Sequence, residues 1–115
     1  MGEPMFDAER LDVYRVALEF QGVMHSLQGV PGWLRSQLNR ASASIVLNIG
    51  EGLGRRTRRD RTQFFTIARG SATECAAIID ILKGRGGLSL EAYRSARTLL
   101  IRIVQMLTRL IASLA

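Results

Sequence analysis

Three clusters of turn residues in a chain almost without proline constrain the fold more than any other feature. The clusters are Gln28-Gly29-Val30-Pro31-Gly32, Gly52-Leu53-Gly54 and Gly84-Arg85-Gly86-Gly87, and the two prolines are Pro4 and Pro31. Glycine and proline punctuate helices, so these clusters leave four segments of similar length. None of the four sustains the every-second-residue alternation of a strand. Four helices with short connections form an antiparallel up-down four-helix bundle. The fold class is therefore all-α, and residues 1–115 read as a single domain.

Each segment carries its own apolar stripe. In the first, Phe6, Val13, Phe20 and Leu27 stand at heptad spacing, with Val16, Ala17, Val23 and Met24 between them, predicting a helix from about Asp7 to Leu27. The second, about Trp33 to Leu53, repeats Leu34, Leu38, Ala41 and Ile45, after which the same stripe meets Asn48 and Gly52. In the third, Asp60 reads as an N-cap with Gln63 three residues on, predicting a helix over 60–84 with Phe64, Ala68, Ser71, Cys75, Ile78 and Leu82 inward. The fourth, 89–113, opens on Ser89 and turns Tyr93, Ala96, Leu100, Ile103, Leu107, Leu110 and Leu114 to the core. It also carries Leu99, Ile101, Val104, Met106 and Ile111 outside that stripe. A second apolar face predicts a neighbouring subunit that covers it; a wide stripe inside a monomer is the alternative.

Charge is unevenly placed. The formal net charge is +6, yet residues 1–34 hold five acids against two arginines, while residues 35–115 hold fourteen bases against five acids. A basic balance of this kind favours nucleic acid or acidic proteins as partners. The densest run is Arg55, Arg56, Arg58, Arg59 and Arg61, with Asp60 the one acid among them, at the turn between the second and third helices. Arg55 and Arg56 follow a helix C-terminus, where cations complement the negative end of the dipole. Arg58, Arg59 and Arg61 flank the positive end of the next helix, where each is disfavoured by about 0.3–1 kcal/mol. An external anion relieves that repulsion, and guanidinium forks suit phosphate oxygens or carboxylates. The other explanation is a solvated basic loop. With no aromatic residue interleaved, phosphate contacts are favoured over base readout.

Enzyme signatures are missing. There is no GxxxxGK[ST] loop, no GxSxG elbow and no dinucleotide fingerprint. A di-metal bundle needs two Glu-x-x-His pairs, whereas the one histidine is His25, with Gly22 three residues before it. No metal and no cofactor are expected, and the chain reads as a non-enzyme. Asn48 and Glu51 lie one turn apart on the second helix, as do Ser71 and Glu74 on the third, and these four are expected to form a structural polar cluster rather than an acid–base pair. Cys75 alone excludes an internal disulfide, the start MGEPMFDAER lacks an apolar leader, and Leu99–Ala115 is interrupted by Arg102, Gln105 and Arg109. The expectation is a soluble cytoplasmic protein with no membrane partner.

The run from Ser44 to Glu74, SIVLNIGEGLGRRTRRDRTQFFTIARGSATE, closely resembles the signature of the four-helix bundle family that includes proteins encoded in intervening sequences of bacterial large-subunit ribosomal RNA genes. The matching elements are Asn48-Ile49, Glu51-Gly52, Gly54-Arg55, Phe64 to Ala68, Gly70-Ser71 and Glu74; Gly50 stands where the family usually has Ala, and Cys75 where a larger aliphatic is common. The accessory variability determinants of diversity-generating retroelements share that fold; in them a basic pentameric barrel associates with the reverse transcriptase and binds nucleic acid. The resemblance thus implies a homopentamer, a cytoplasmic non-enzymatic role, and RNA or DNA as partner, with a reverse transcriptase as a further partner. A scaffold docking an acidic protein without nucleic acid is the alternative.

Overall fold

The computed structural model describes residues 11–115. Leu11, in extended backbone (φ −85°, ψ 133°), is the N-cap residue from which the first described helix begins. α1 spans Asp12–Ser26, α2 Gly32–Gly54, α3 Arg58–Gly84 and α4 Leu90–Ser113, and no strand occurs among the described residues. The expected start at about Asp7, and Phe6 of the first stripe, lie outside the described residues. Pro31 leads into α2, its carbonyl accepting from the Leu34 and Arg35 N–H groups at 3.0 and 2.8 Å. Ser89 caps α4, its hydroxyl accepting from the Ala92 N–H at 3.0 Å. At the end of α3, Gly86 takes a left-handed conformation (φ +75°), and the Gly87 N–H turns back to the Leu82 carbonyl at 2.8 Å.

α3 is capped differently from the sequence-based expectation. Asp60 is not the cap: Thr57 is, with its hydroxyl accepting from the Asp60 N–H at 3.1 Å, so the helix starts at Arg58 rather than at 60. Thr57 and Asp60 already form a Thr-x-x-Asp pattern one turn upstream of the Asp60–Gln63 pair. The Asp60 carboxylate then sits in the first turn, where the dipole favours it.

The helices pack in chain order. α1 lies on α2, α2 on α3 and α3 on α4, and α1 closes on α4, while the backbones of the two diagonal pairs stay farther apart. This ring, with connections 27–31, 55–57 and 85–89, encloses one core. Its largest buried side chains are Phe20 and Met24 of α1, Leu34, Leu38, Ile45 and Ile49 of α2, Phe65, Ile79 and Leu82 of α3, and Ile103 and Leu107 of α4. On α2 the inward stripe continues through Ile49, not Asn48, and on α3 Phe65 and Ala72 point inward in place of Phe64 and Ser71. On α4, Leu99, Val104, Met106 and Ile111 are half-buried against the core, and of the five surplus apolar residues only Ile101 is exposed, at 47%. The α4 stripe is wide enough that most of its surplus is covered within the chain.

Two contacts hold the neighbouring helices in register. Arg35 reaches back from α2 to the end of α1, donating to the Met24 carbonyl at 2.7 Å and to the Leu27 carbonyl, which satisfies acceptors that a helix C-terminus leaves open. At the far end of α2, a Cβ built on Gly52 would stand 2.7 and 2.9 Å from the Phe65 ring and 3.3 Å from Phe64 Cβ. Only a glycine lets the buried Phe65 ring lie against the α2 backbone. Gly50, two residues away, faces open space.

Alanine at these two glycines should therefore act in opposite directions. Gly52→Ala overpacks a buried ring and is expected to destabilise by about 1–3 kcal/mol, whereas Gly50→Ala gains helix propensity, up to about 1 kcal/mol of stability. Urea unfolding of the two variants checks both signs, and a stabilised Gly52→Ala would contradict the close approach.

Candidate functional site

The α2–α3 turn gathers the five arginines, and the structure divides them into two groups. Arg55 ends α2: its side chain pairs with Glu51 at 3.0 Å and lies over the Phe64 ring, 4.6 Å from the centroid. Arg61, half-buried on α3, donates through Nε to the Arg55 carbonyl at 2.7 Å. Its cation therefore meets the negative end of α2, so it does not share the unrelieved position expected for it beside Arg58 and Arg59. Arg55 and Arg61 fasten the turn. Among the described residues, Arg56, Arg58 and Arg59 are exposed and make no hydrogen bond, ion pair or ring contact. Arg58 and Arg59 occupy the first two positions of α3, next to backbone N–H groups that a helix start leaves unpaired. The three free guanidinium groups and these N–H donors all carry positive potential at one corner of the bundle. A shallow recess of about 390 Å³, lined by Gly50, Glu51, Gly54 and Arg55, opens beside them.

The four residues expected as one polar cluster separate as well. Asn48 and Ser71 do lie at the α2–α3 seam, joined through Ser44, which the sequence analysis did not single out. The Ser44 and Ser71 hydroxyls are 2.8 Å apart, and the Asn48 side-chain amide donates to the Ser44 carbonyl at 2.9 Å and hydroxyl at 3.0 Å. Glu51 and Glu74 are outside this seam. Glu51 is exposed on Arg55, and Glu74 is exposed 3.5 Å from Arg40, bridging α2 and α3 from the surface. No buried side-chain polar atom among the described residues lacks a partner, so the seam has the character of a structural join.

Other chemistry is sparse. Cys75 is buried, and desolvation first, the Glu74 carboxylate second, pushes its thiol up to about 12, so it stays protonated and unreactive near neutral pH. Among the described residues, no three His, Cys, Asp or Glu side chains gather as a metal site. Nor is any helix among them long and apolar enough to cross a membrane. His25 is exposed in the last turn of α1.

Comparison with known proteins is consistent with this architecture. The model of a family described as 23S rRNA-intervening sequence protein matches residues 9–109. A solved structure of a protein of unknown function from the S23 ribosomal protein family of Bacteroides thetaiotaomicron is similar with a TM-score of 0.82. It covers 87% of this chain and 95% of its own, at 24% identity, which speaks to the fold alone. No curated protein matches the chain.

If Arg58 and Arg59 oppose the α3 dipole, removing their charge should stabilise the isolated protein. Arg58→Glu and Arg59→Glu are each expected to raise unfolding free energy by about 0.3–1 kcal/mol at low ionic strength, with the gain fading as salt is added. Denaturant unfolding at two salt concentrations checks this; a loss of stability would mean that the two side chains support the fold.

Proposed function

This chain belongs to the family of 23S rRNA-intervening sequence proteins, and on that premise we propose that it is a non-enzymatic, homo-oligomeric bundle that binds RNA or DNA through phosphate contacts. The observation that carries the reading is the unpaired trio Arg56, Arg58 and Arg59 at the N-terminal corner of α3. Two of these cations sit where the helix dipole opposes them, and an anion bound between them and the free N–H groups reverses that penalty. Arg55 and Arg61 act as the frame, holding the turn open while the trio faces out. The Phe64 ring is covered by Arg55, so this corner offers charge and forked donors without a stacking surface, which suits backbone contact with little sequence preference.

Self-association is part of the proposal. Leu47, 66% exposed on α2, with Ile67 on α3 and Ile101 on α4, supplies apolar surface for contact between subunits. In a pentamer the arginine corner would recur around the axis and the field of each copy would add to the next. The finer role that follows from the resemblance is that of a cytoplasmic accessory factor to the reverse transcriptase of a diversity-generating retroelement. No cofactor or metal takes part in it.

Binding of RNA or DNA should fall steeply between 50 and 200 mM salt, and Arg56→Ser/Arg58→Ser/Arg59→Ser should weaken binding and flatten the logarithmic salt slope by roughly two to three. Fluorescence anisotropy with a labelled duplex and a labelled single strand reads both. Unchanged affinity and slope in the triple variant would remove this corner as the site. An acidic protein partner that survives nuclease treatment, with no nucleic acid bound, would replace the reading with protein docking.

A further inference from the structure

The opposite end of the bundle carries an aromatic residue that the arginine corner lacks. Trp33, in the first turn of α2, is 58% exposed, and the Arg85 guanidinium stands over its ring at 5.9 Å from the centroid. Tryptophan is rarely left this open without a use, since its large apolar face forgoes burial. Arg85 follows directly on α3, whose last turn holds Lys83, and Glu91 stands in the first turn of α4. Gly32 next to Trp33 and Gly84 and Gly86 on either side of Arg85 all face open space, so no side chain from these positions stands beside the pair. An exposed ring already paired with one guanidinium, at a bundle end whose α3 terminus also carries a lysine, matches what single-stranded nucleic acid binding uses: stacking for a base and charge for the phosphates on each side of it.

We propose that Trp33 and Arg85 form a base-stacking contact for single-stranded RNA or DNA, at the end of the bundle opposite the arginine corner. The inference rests on the nucleic-acid reading above and adds to it a second contact of different chemistry. α2 separates the two, since 22 residues from Trp33 to Arg55 at 1.5 Å rise make about 33 Å. A strand lying along the bundle would meet phosphate contacts at one end and a stacking contact at the other. Duplex, whose bases are already stacked, would use the arginine corner alone.

Trp33 is the chain's one tryptophan, so its emission reports this contact directly. A single strand of twelve thymidines titrated into the full chain at low salt should quench that emission saturably, while an abasic strand of the same length and charge should leave it nearly unchanged. Trp33→Leu, at a position exposed enough to be tolerated, should weaken binding of the labelled thymidine strand by roughly tenfold while leaving duplex binding alone. Arg85→Ser should weaken the quenching titration severalfold. Binding without any change in Trp33 emission, still sensitive to Arg56, Arg58 and Arg59, would overturn the stacking contact and spare the proposed function. Equal quenching by the abasic strand would also overturn it. Absence of binding by any strand or duplex would overturn both, and emission that shifts with protein concentration alone would assign Trp33 to a contact between copies instead.

Discussion

The approach of the Phe65 ring to the bare backbone of Gly52 draws the start of α3 against the end of α2, and much of the molecule's functional geometry is a consequence. With the ring seated there, three residues suffice to connect the helices, and Arg61 comes within reach of the Arg55 carbonyl. The Ser44–Ser71 contact lies along the same seam, and the Arg40–Glu74 pair bridges the two helices from the surface. α2 and α3 share the most extensive packing in the bundle. The turn is therefore a braced corner between two long helices, and the side chains it does not use for bracing project from a fixed platform.

Two helix ends of opposite polarity meet at that corner. The negative end of α2 is answered within the chain by Arg55 and Arg61. The positive end of α3 is answered only in part, by the Thr57 cap and Asp60, and it has Arg58 and Arg59 added to it. Local stability would favour acidic residues at those positions. Arginine at both positions, beside an equally unpaired Arg56, leaves the corner with an unmet demand for negative charge, and the proposed binding of nucleic acid rests on that demand. The opposite end of the bundle carries an exposed ring, Trp33 with Arg85 over it, in place of a dense arginine run.

The four helices were legible in the sequence because glycine-rich turns isolate segments whose stripes have helical period. Register was less legible. At Asn48-Ile49, Phe64-Phe65 and Ser71-Ala72, two adjacent residues compete for one inward position, and periodicity alone does not choose between them. What chooses is contact with the facing helix: Phe65 turns inward because Gly52 makes room for it. The basic turn was also legible as a cluster, but not its division, since Arg61 reaches back six residues to a backbone carbonyl and residue types do not report that. Placing the α3 cap at Asp60 missed Thr57 because both residues are good caps, and the choice is set by where the short connection allows the helix to begin. The pairing of Trp33 with Arg85 joins the first turn of α2 to the connection after α3, and nothing local in either segment announces it.

The proposed division of labour among five neighbouring arginines is open to side-chain NMR, which reads each of them separately. On titration with single-stranded or duplex nucleic acid at low salt, the Nε–Hε signals of Arg56, Arg58 and Arg59 should shift and broaden, while those of Arg55 and Arg61 hold their positions. Signals that move at Arg55 and Arg61 but not at the other three, or that move only on another face of the bundle, would contradict the account.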